Sequence, residues 1–296
     1  MFVVKNRKIF FSISAILVLL SIISMLVWGF NFGIDFTGGS ILEVEYLTER
    51  PSPDEIKEVI NIGEYLAQPT GDRGYIIRTK DLSEEERLSL ISSLSFGGNK
   101  EFQEKRFNTI GPVIGNELRQ KALLSILLVV LAIILFIAFA FRKVSKPVSS
   151  WKYGLVAIVA LIHDIIIPTG IFITLGALIG VEIDILFVTA LLAILGFSVN
   201  DTIVVFDRVR ENLRLNEEYK RRESFEETIG KSLNQTYTRS INTSLTTLFV
   251  LLALFFLGGD STRYFTLTLI IGVLAGTYSS IFLASPLLVV LGKGKD

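Results

Sequence analysis

Two charged residues, Asp201 and Arg239, lie in stretches of sequence that are otherwise typical of membrane-spanning helices. Asp201, with Asn200 before it, comes ahead of the apolar run 203–206, and Arg239 opens the next apolar stretch. An ionised carboxylate in hydrocarbon costs about 2.5–3.5 kcal/mol on insertion scales, so it needs a partner or a water-filled cavity. A carboxylate beside a guanidinium can bind or release a proton as its surroundings change. We therefore predict proton coupling at these three residues, with Asp201 as the carrier.

The depths of the two charges are compatible with a contact between them. Asp201 lies 17 residues after Asp184, which is roughly 25 Å along a helix. Arg239 lies 19 residues before Gly258 on the next, antiparallel span, which is roughly 28 Å. A contact would lower the desolvation cost of both charges. The alternative is that Asp201 marks the edge of its span and Arg239 snorkels to the interface.

The polar start of the fifth span argues against that alternative. A helix start with so many hydroxyl and amide groups must face protein or water rather than lipid. The polar residues are Thr236, Thr238, Ser240, Asn242, Thr243, Ser244, Thr246 and Thr247.

A second polar pair, His163 and Asp164, lies about 17 Å beyond Lys152 in the third span. Consecutive helical residues point about 100° apart, so only one of the two can face a given neighbour squarely. The pair is either a hydrogen-bonded structural feature or a relay that faces the same pocket as Asp201. Pro168, one turn further on, is expected to break the backbone ladder locally.

The amino-acid composition indicates that these residues belong to a membrane protein. Hydrophobic residues make up 50% of the 296 residues and charged residues 20%, and the mean hydropathy is +0.56. Six apolar runs are long enough to span a bilayer: 9–30, 122–141, 152–175, 183–206, 240–257 and 265–291. With no cysteine and one histidine, we expect no disulfide, no metal site and no cofactor other than the proton. The sequence has no GxxxxGK[ST] motif for nucleotide phosphates.

Lysine and arginine predict the orientation of the chain. If all basic clusters lie on the cytosolic side, both termini and a loop at 207–239 are cytosolic. The chain then consists of a terminal segment with the first span (1–30), an extracytoplasmic domain (31–118) and a five-helix bundle (119–296). The basic clusters comprise Lys5, Arg7 and Lys8; Arg142, Lys143, Lys146 and Lys152; the residues from Arg208 to Lys231; and Lys293 and Lys295.

The predicted outer domain holds 16 acidic and 9 basic residues between Phe32 and Leu118. This acidity is either a solvated surface or a binding surface for a basic or unfolded client. The patterns "SILEVEYL", "GYIIRT" and "EFQEKRFNTI" predict three strands. "SPDE" and "SEEE" are capping boxes that start two helices. We expect a small α+β, ferredoxin-like domain, and nothing in it indicates a catalytic site.

Two further segments predict contacts with lipid or with other helices. "SFEETIGKSLNQ" has Phe225, Ile229 and Leu233 at four-residue spacing, which predicts an amphipathic helix on the membrane surface, next to a basic "YKRRE" that contacts headgroups. Nucleic-acid binding is not expected, because topology already accounts for the positive charge. Gly272, Gly276 and Ser280 recur every four residues in the sixth span, which predicts close helix packing or a sliding surface.

Two strings in the sequence resemble a known family. Residues 29–40, "GFNFGIDFTGGS", hold four glycines, which suggests a flexible elbow between the first span and the outer domain. Its core, with Gly33, Asp35, Gly38 and Gly39, resembles the signature of the SecD/SecF family. "SVNDTIVVFDRVREN" and "TRSINTS" (238–244) resemble the fourth and fifth spans of the SecF branch of that family.

The resemblance implies a non-enzymatic subunit of the RND superfamily in the bacterial inner membrane. It would pair with SecD, associate with the SecYEG channel and use the proton gradient to assist export of unfolded preproteins. Two alternatives stay open. The chain is half of an RND-type exporter of small molecules, or it is a structural membrane subunit whose buried charges only fix helix register.

Overall fold

The computed structural model describes residues 2–141 and 149–292. The chain forms two compact units, one of Met1–Asn31 with Leu124–Asp296 and one of Phe32–Leu123. Five of the basic residues used to predict orientation lie outside the described residues: Arg142, Lys143, Lys146, Lys293 and Lys295.

Six helices in the described part of the chain are long and apolar enough to cross a membrane. They confirm the six predicted spans, and the chain is a multi-pass α-helical membrane protein. The sixth span consists of α10, a π-helical segment and α11. In chain order the elements are α1 (Phe2–Lys5), α2 (Arg7–Trp28), α3 (Ile34–Thr37), β1 (Gly39–Tyr46), α4 (Pro53–Val59), β2 (Tyr65–Thr70), β3 (Gly74–Thr79), α5 (Glu84–Leu94), β4 (Phe102–Ile110), α6 (Pro112–Ala140), α7 (Ser150–Ile179), α8 (Ile185–Glu218), α9 (Phe225–Leu257), α10 (Asp260–Tyr278), the π-helical segment (Ser279–Ala284) and α11 (Ser285–Gly292).

The unit Phe32–Leu123 contains the predicted ferredoxin-like domain. Its four strands form an antiparallel sheet in the order β2-β3-β1-β4. Both capping boxes are present: Ser52 with Glu55 starts α4, and Ser83 with Glu86 starts α5. These two helices cover one sheet face. The core between them and the sheet contains Leu42, Val44, Tyr46, Ile56, Tyr75, Ile77, Leu90 and Leu94.

The prediction of three strands is wrong, because the sequence analysis missed β2. This strand reads YLAQPT and lies at the sheet edge, where it pairs with β3 alone. Pro69 has no backbone N–H to donate a hydrogen bond, which a central strand needs, so its presence argued against a strand. An edge strand tolerates it, because one side of the strand has no partner.

The membrane unit packs through small residues at its helix crossings. A Cβ on Gly170 of α7 would lie 2.3 Å from Cβ of Ser21 on α2, and one on Gly272 of α10 would lie 2.2 Å from Cδ1 of Ile194 on α8. A Cβ on Gly276 would lie 3.1 Å from Cβ of Ser198. The predicted close packing of the sixth span is thereby confirmed, and α8 is its neighbour.

The prediction of a separate surface helix at the cytosolic side is wrong. Helix α8 continues to Glu218 and α9 begins at Phe225, so a short connection replaces most of the expected loop. Asn212 donates to Ser232 over 2.8 Å and Asn216 donates to Thr228 over 2.9 Å, which joins the two helices. The apolar face of "SFEETIGKSLNQ" therefore packs inside the protein, where Ile229 is fully buried.

Candidate functional site

The most enclosed carboxylate of the membrane unit belongs to Asp164 of α7, which has no solvent exposure. Its Oδ1 lies 2.8 Å from Nδ1 of His163. Its Oδ2 accepts hydrogen bonds from the hydroxyls of Ser198 on α8 and Ser279 in the π-helical segment, the latter over 2.7 Å. Three elements thus meet at one carboxyl group. Pro168 stays within a continuous α7 but removes the backbone donor for the Asp164 carbonyl.

The His163 ring is buried beside this carboxylate. It stacks on the ring of Tyr278, with centroids 6.0 Å apart and planes 14° apart. Its Nε2 has no hydrogen-bond partner in the described part of the chain. Since an Asp164 oxygen is the partner of Nδ1, Nε2 is the ring nitrogen that remains available for a further hydrogen bond.

Asp201 of α8 is also buried, with 8% of its surface exposed. Its Oδ1 accepts a hydrogen bond from the Ser240 hydroxyl of α9 over 2.6 Å. Its Oδ2 is buried and has no hydrogen bond of normal geometry among the described residues, although the Ser280 hydroxyl of the π-helical segment also acts on this carboxyl group. An unsatisfied buried polar atom costs about 1–3 kcal/mol, and more when charged. This arrangement favours a carboxylate that takes up a proton or contacts water.

The π-helical segment connects the surroundings of the two carboxylates. Ser279 bonds to Asp164, while the next residue, Ser280, lies 2.8 Å from the Thr202 hydroxyl beside Asp201. The wider turn of a π-helix places both hydroxyls toward α7 and α8, and such segments occur frequently at functional sites.

The expected contact between Asp201 and Arg239 is not formed. Arg239 is exposed, and it makes no ion pair with any described residue, although its charge acts on Asp201 at longer range. The reason is helix rotation: Ser240, one residue later, points about 100° away and takes the position facing α8. Three other predicted site residues are exposed as well, namely Asn200, Asn242 and Thr243.

The sequence analysis therefore combined two groups that the structure separates. Asp201, His163 and Asp164 lie inside, whereas Arg239, Asn200, Asn242 and Thr243 are exposed. We refer to these four exposed residues of α8 and α9 together as the α8–α9 polar face. Sequence reasoning assigned no role to Ser198 or Ser279. A signal existed for Ser198, since it lies three residues before Asp201 and so on the same helix face.

The glycine signature has a packing role that differs from the predicted flexible elbow. Gly38 and Gly39 have φ of +74° and +127°, which side chains rarely adopt. A Cβ on Gly38 would lie 2.7 Å from Cα of Pro112, and one on Gly39 would lie 2.5 Å from the Thr79 carbonyl oxygen. Gly33 is buried at the start of α3, which contains Asp35. Gly38 and Gly39 therefore lie where backbone segments approach too closely for a side chain.

Comparisons with known proteins identify relatives of this chain. The model of the protein export membrane protein SecD/SecF C-terminal family matches residues 91–294, and that of the SecD/SecF GG motif matches residues 23–46. Protein translocase subunit SecF of Thermobaculum terrenum is 42% identical over 99% of this chain and 94% of that protein. The corresponding subunit of Anaerolinea thermophila is 37% identical, with the same coverage of both proteins.

A solved structure with the same architecture is SecDF, a translocon-associated membrane protein from Thermus thermophilus. The TM-score is 0.83 and the sequence identity 33%. The match covers 97% of this chain and 38% of the SecDF chain. With a family model that matches more than half of its residues, this chain belongs to the SecD/SecF family of protein export membrane proteins.

Proposed function

We propose that this chain is a SecF-type subunit of the Sec protein translocase that couples proton movement at Asp201 to the export of unfolded preproteins. Family membership and the full-length similarity to subunits named SecF support the export role. Positively charged residues near the first and fourth spans support a cytosolic location for both termini and an outward-facing α+β domain in the bacterial inner membrane. We expect no covalent chemistry and no cofactor besides the coupling ion.

The observation that carries this proposal is the contrast between Asp201 and the α8–α9 polar face. Asp201 is buried, and its Oδ2 has no hydrogen bond of normal geometry among the described residues, while the Arg239 charge that acts on it is exposed on the same chain. Charged and amide groups of membrane helices are unfavourable against lipid. We therefore infer that a SecD-type subunit covers this face and completes the site, and that the pair associates with SecYEG and surrounding lipids.

The proton-coupling role is tested with Asp201→Asn in membrane vesicles that contain the complete translocase. We expect the variant to assemble but to lose the stimulation of preprotein export by an imposed proton gradient. Export that remains fully stimulated would favour a structural role for the buried charge. Gradient-driven efflux of small molecules without an effect on export would favour the exporter alternative.

Pairing with a SecD-type subunit has a separate test on the α8–α9 polar face. Because the chain has no cysteine, Asn242→Cys introduces a single thiol. We expect it to crosslink to the partner subunit and to be protected from a lipid-soluble thiol reagent. Ile16→Cys, at a 56% exposed apolar position of α2, is the control that such a reagent should label. Labelling of both variants alike would contradict the predicted interface.

A further inference from the structure

We propose that Ser285 and Pro286 are positioning residues of the proton-coupling site, because together they hold the π-helical segment that presents Ser280 to α8. This inference rests on the proposed function and deepens it by naming residues that influence Asp201 indirectly. Both residues are buried at the start of α11, where the π-helical segment ends. They act through the backbone of the sixth span.

Pro286 accounts for the interruption of the α-helix. A proline has no N–H for the α-helical hydrogen bond to the carbonyl four residues earlier, and its ring clashes with that carbonyl. For Pro286 the carbonyl in question belongs to Phe282, within the π-helical segment Ser279–Ala284. A π-helix pairs residues five apart and so forms a wider turn. The wider turn relieves the crowding ahead of the proline.

A proline is not sufficient for a π-helical turn in this protein, and the neighbouring hydroxyl makes the difference. Pro168 lies within a continuous α7, where the adjacent Thr169 hydroxyl donates to the carbonyl four residues earlier over 2.7 Å. Next to Pro286, the Ser285 hydroxyl donates to the Ser280 carbonyl, five residues earlier, over 2.9 Å. The Ser285 bond thus has the spacing of a π-helix, and it stabilises the wider turn.

Ser280 is thereby held at two points. Its carbonyl accepts from Ser285, and its hydroxyl lies 2.8 Å from that of Thr202, next to Asp201. The same hydroxyl also acts on the Asp201 carboxyl group. A shift of one residue in helix register turns a side chain by about 100°. Loss of the wider turn would therefore rotate the Ser280 hydroxyl out of its present position facing α8.

The rest of the sixth span is packed too closely to absorb such a change. A Cβ on Gly272 of α10 would lie 2.2 Å from carbons of Ile194 on α8. On the other side of the π-helical segment, Leu288 and Val289 of α11 lie in the same buried cluster as Val205 of α8. Because close-packed interiors resist rearrangement, a change of register is confined to the π-helical segment and to the hydroxyls that it presents.

The charged and titratable groups around this segment are left in place when Ser285 is replaced. They comprise Asp164, His163, Asp201, Arg239 and Tyr278. A changed pH dependence after replacement of a neutral, buried hydroxyl therefore reports the position of the site's hydrogen-bond donors and not the loss of a charge.

The test is the pH profile of gradient-stimulated preprotein export by Ser285→Ala in membrane vesicles that contain the complete translocase. We expect the variant to assemble and the midpoint of the profile to move by about half to one pH unit, as for the loss of one hydrogen bond. Thr266→Val is the matched control, because the Thr266 hydroxyl is buried in the same span and donates to the carbonyl four residues earlier over 2.8 Å. An unmoved profile for Ser285→Ala, or an equal shift in the control, would overturn the inference.

A second measurement follows the position of Ser280 without export. Thr202→Cys with Ser280→Cys places two thiols in a chain without other cysteines, at side chains whose oxygens are 2.8 Å apart. We expect oxidation to join the thiols, and Pro286→Ala or Ser285→Ala to slow this reaction severalfold. Equal rates would contradict the inference, including the case in which Ser285→Ala does not support export.

The two proposals fail in different ways. Full gradient-stimulated export by Asp201→Asn refutes the proposed function and the positioning role with it. Loss of that stimulation in Asp201→Asn, together with an unmoved pH profile in Ser285→Ala, refutes the positioning role alone.

Discussion

Ser240, and not its neighbour Arg239, binds Asp201: the Ser240 hydroxyl donates to Oδ1 over 2.6 Å. Both residues lie on α9 at the same depth, but a helix turns about 100° per residue. The position that faces α8 is therefore occupied by a neutral hydroxyl. This hydroxyl donates a hydrogen bond to the carboxylate but adds no positive charge beside it. The guanidinium lies on the α8–α9 polar face, where it is available to a second chain.

Replacing Ser240 by alanine should weaken the site without abolishing assembly. The loss of this donor removes the hydrogen bond to Oδ1 and leaves the Ser280 hydroxyl as the remaining donor near the carboxyl group. We expect a destabilisation of about 1–3 kcal/mol and a shifted pH profile of gradient-stimulated export. Thr246→Ala is the matched control, because Thr246 is exposed on the same helix and its hydroxyl donates to backbone carbonyls of that helix. Equal pH profiles for the two variants would contradict the assigned role of Ser240.

Gly272→Ala should separate α10 from α8. The added Cβ would lie 2.2 Å from two carbons of Ile194, and overpacking of this kind costs about 1–3 kcal/mol. Thermal unfolding of the purified protein in detergent measures the effect. Gly196→Ala on α8 is the control, because its Cβ would meet no atom within 4 Å. Adding Ile194→Ala to Gly272→Ala should recover part of the loss; an additive double variant would exclude a direct clash.

The second capping box should make the start of α5 sensitive to acid. Hydrogen bonds from the backbone N–H and hydroxyl of Ser83 hold the pKa of Glu86 below its ordinary value of 4.5. Because the folded pKa is lowered, this stabilisation is present above the unfolded value and is lost as the pH falls through the folded value. Hydrogen exchange of the α5 amides, corrected for intrinsic rates, should therefore accelerate below about pH 4.5. In Glu86→Gln this pH dependence should disappear; its persistence would assign the effect to another group.

Gly39→Asn should disrupt the junction of β1 and β3, whereas Gly71→Asn should be tolerated. Gly71 has a φ of +53°, which asparagine adopts more readily than other residues, whereas Gly39 has a φ of +127°, outside that left-handed region. The available space differs as well: a Cβ on Gly39 would lie 2.5 Å from the Thr79 carbonyl oxygen, and one on Gly71 meets nothing within 4 Å. Circular dichroism and thermal melting of the full chain measure the outcome. Equal melting temperatures would refute the packing role of Gly39.

Much of the architecture is encoded in local sequence patterns. Apolar runs of about 20 residues predict spans because the hydrocarbon thickness sets their length. The capping boxes at Ser52 and Ser83 predict helix starts because each involves residues within one turn. The edge strand β2 was not predicted, because its formation depends on pairing with β3 and its own residues do not clearly favour a strand.

The arrangement of the site depends on contacts between residues distant in the sequence. Counting residues along the two helices placed Asp201 and Arg239 at a similar depth. That count does not determine which way each side chain points around its helix axis. Rotation follows from packing, such as that of Gly272 on Ile194 and Gly276 on Ser198.

By itself, the sequence determined the six spans, the α+β domain and the presence of carboxylates in apolar helices. The tertiary structure alone decided that Asp164 meets Ser198 and Ser279, that Ser240 faces Asp201 and that Arg239 faces outward. The physical reason is that helix propensity and hydrophobicity are properties of a segment, whereas the direction of a side chain is set by the helices packed around it.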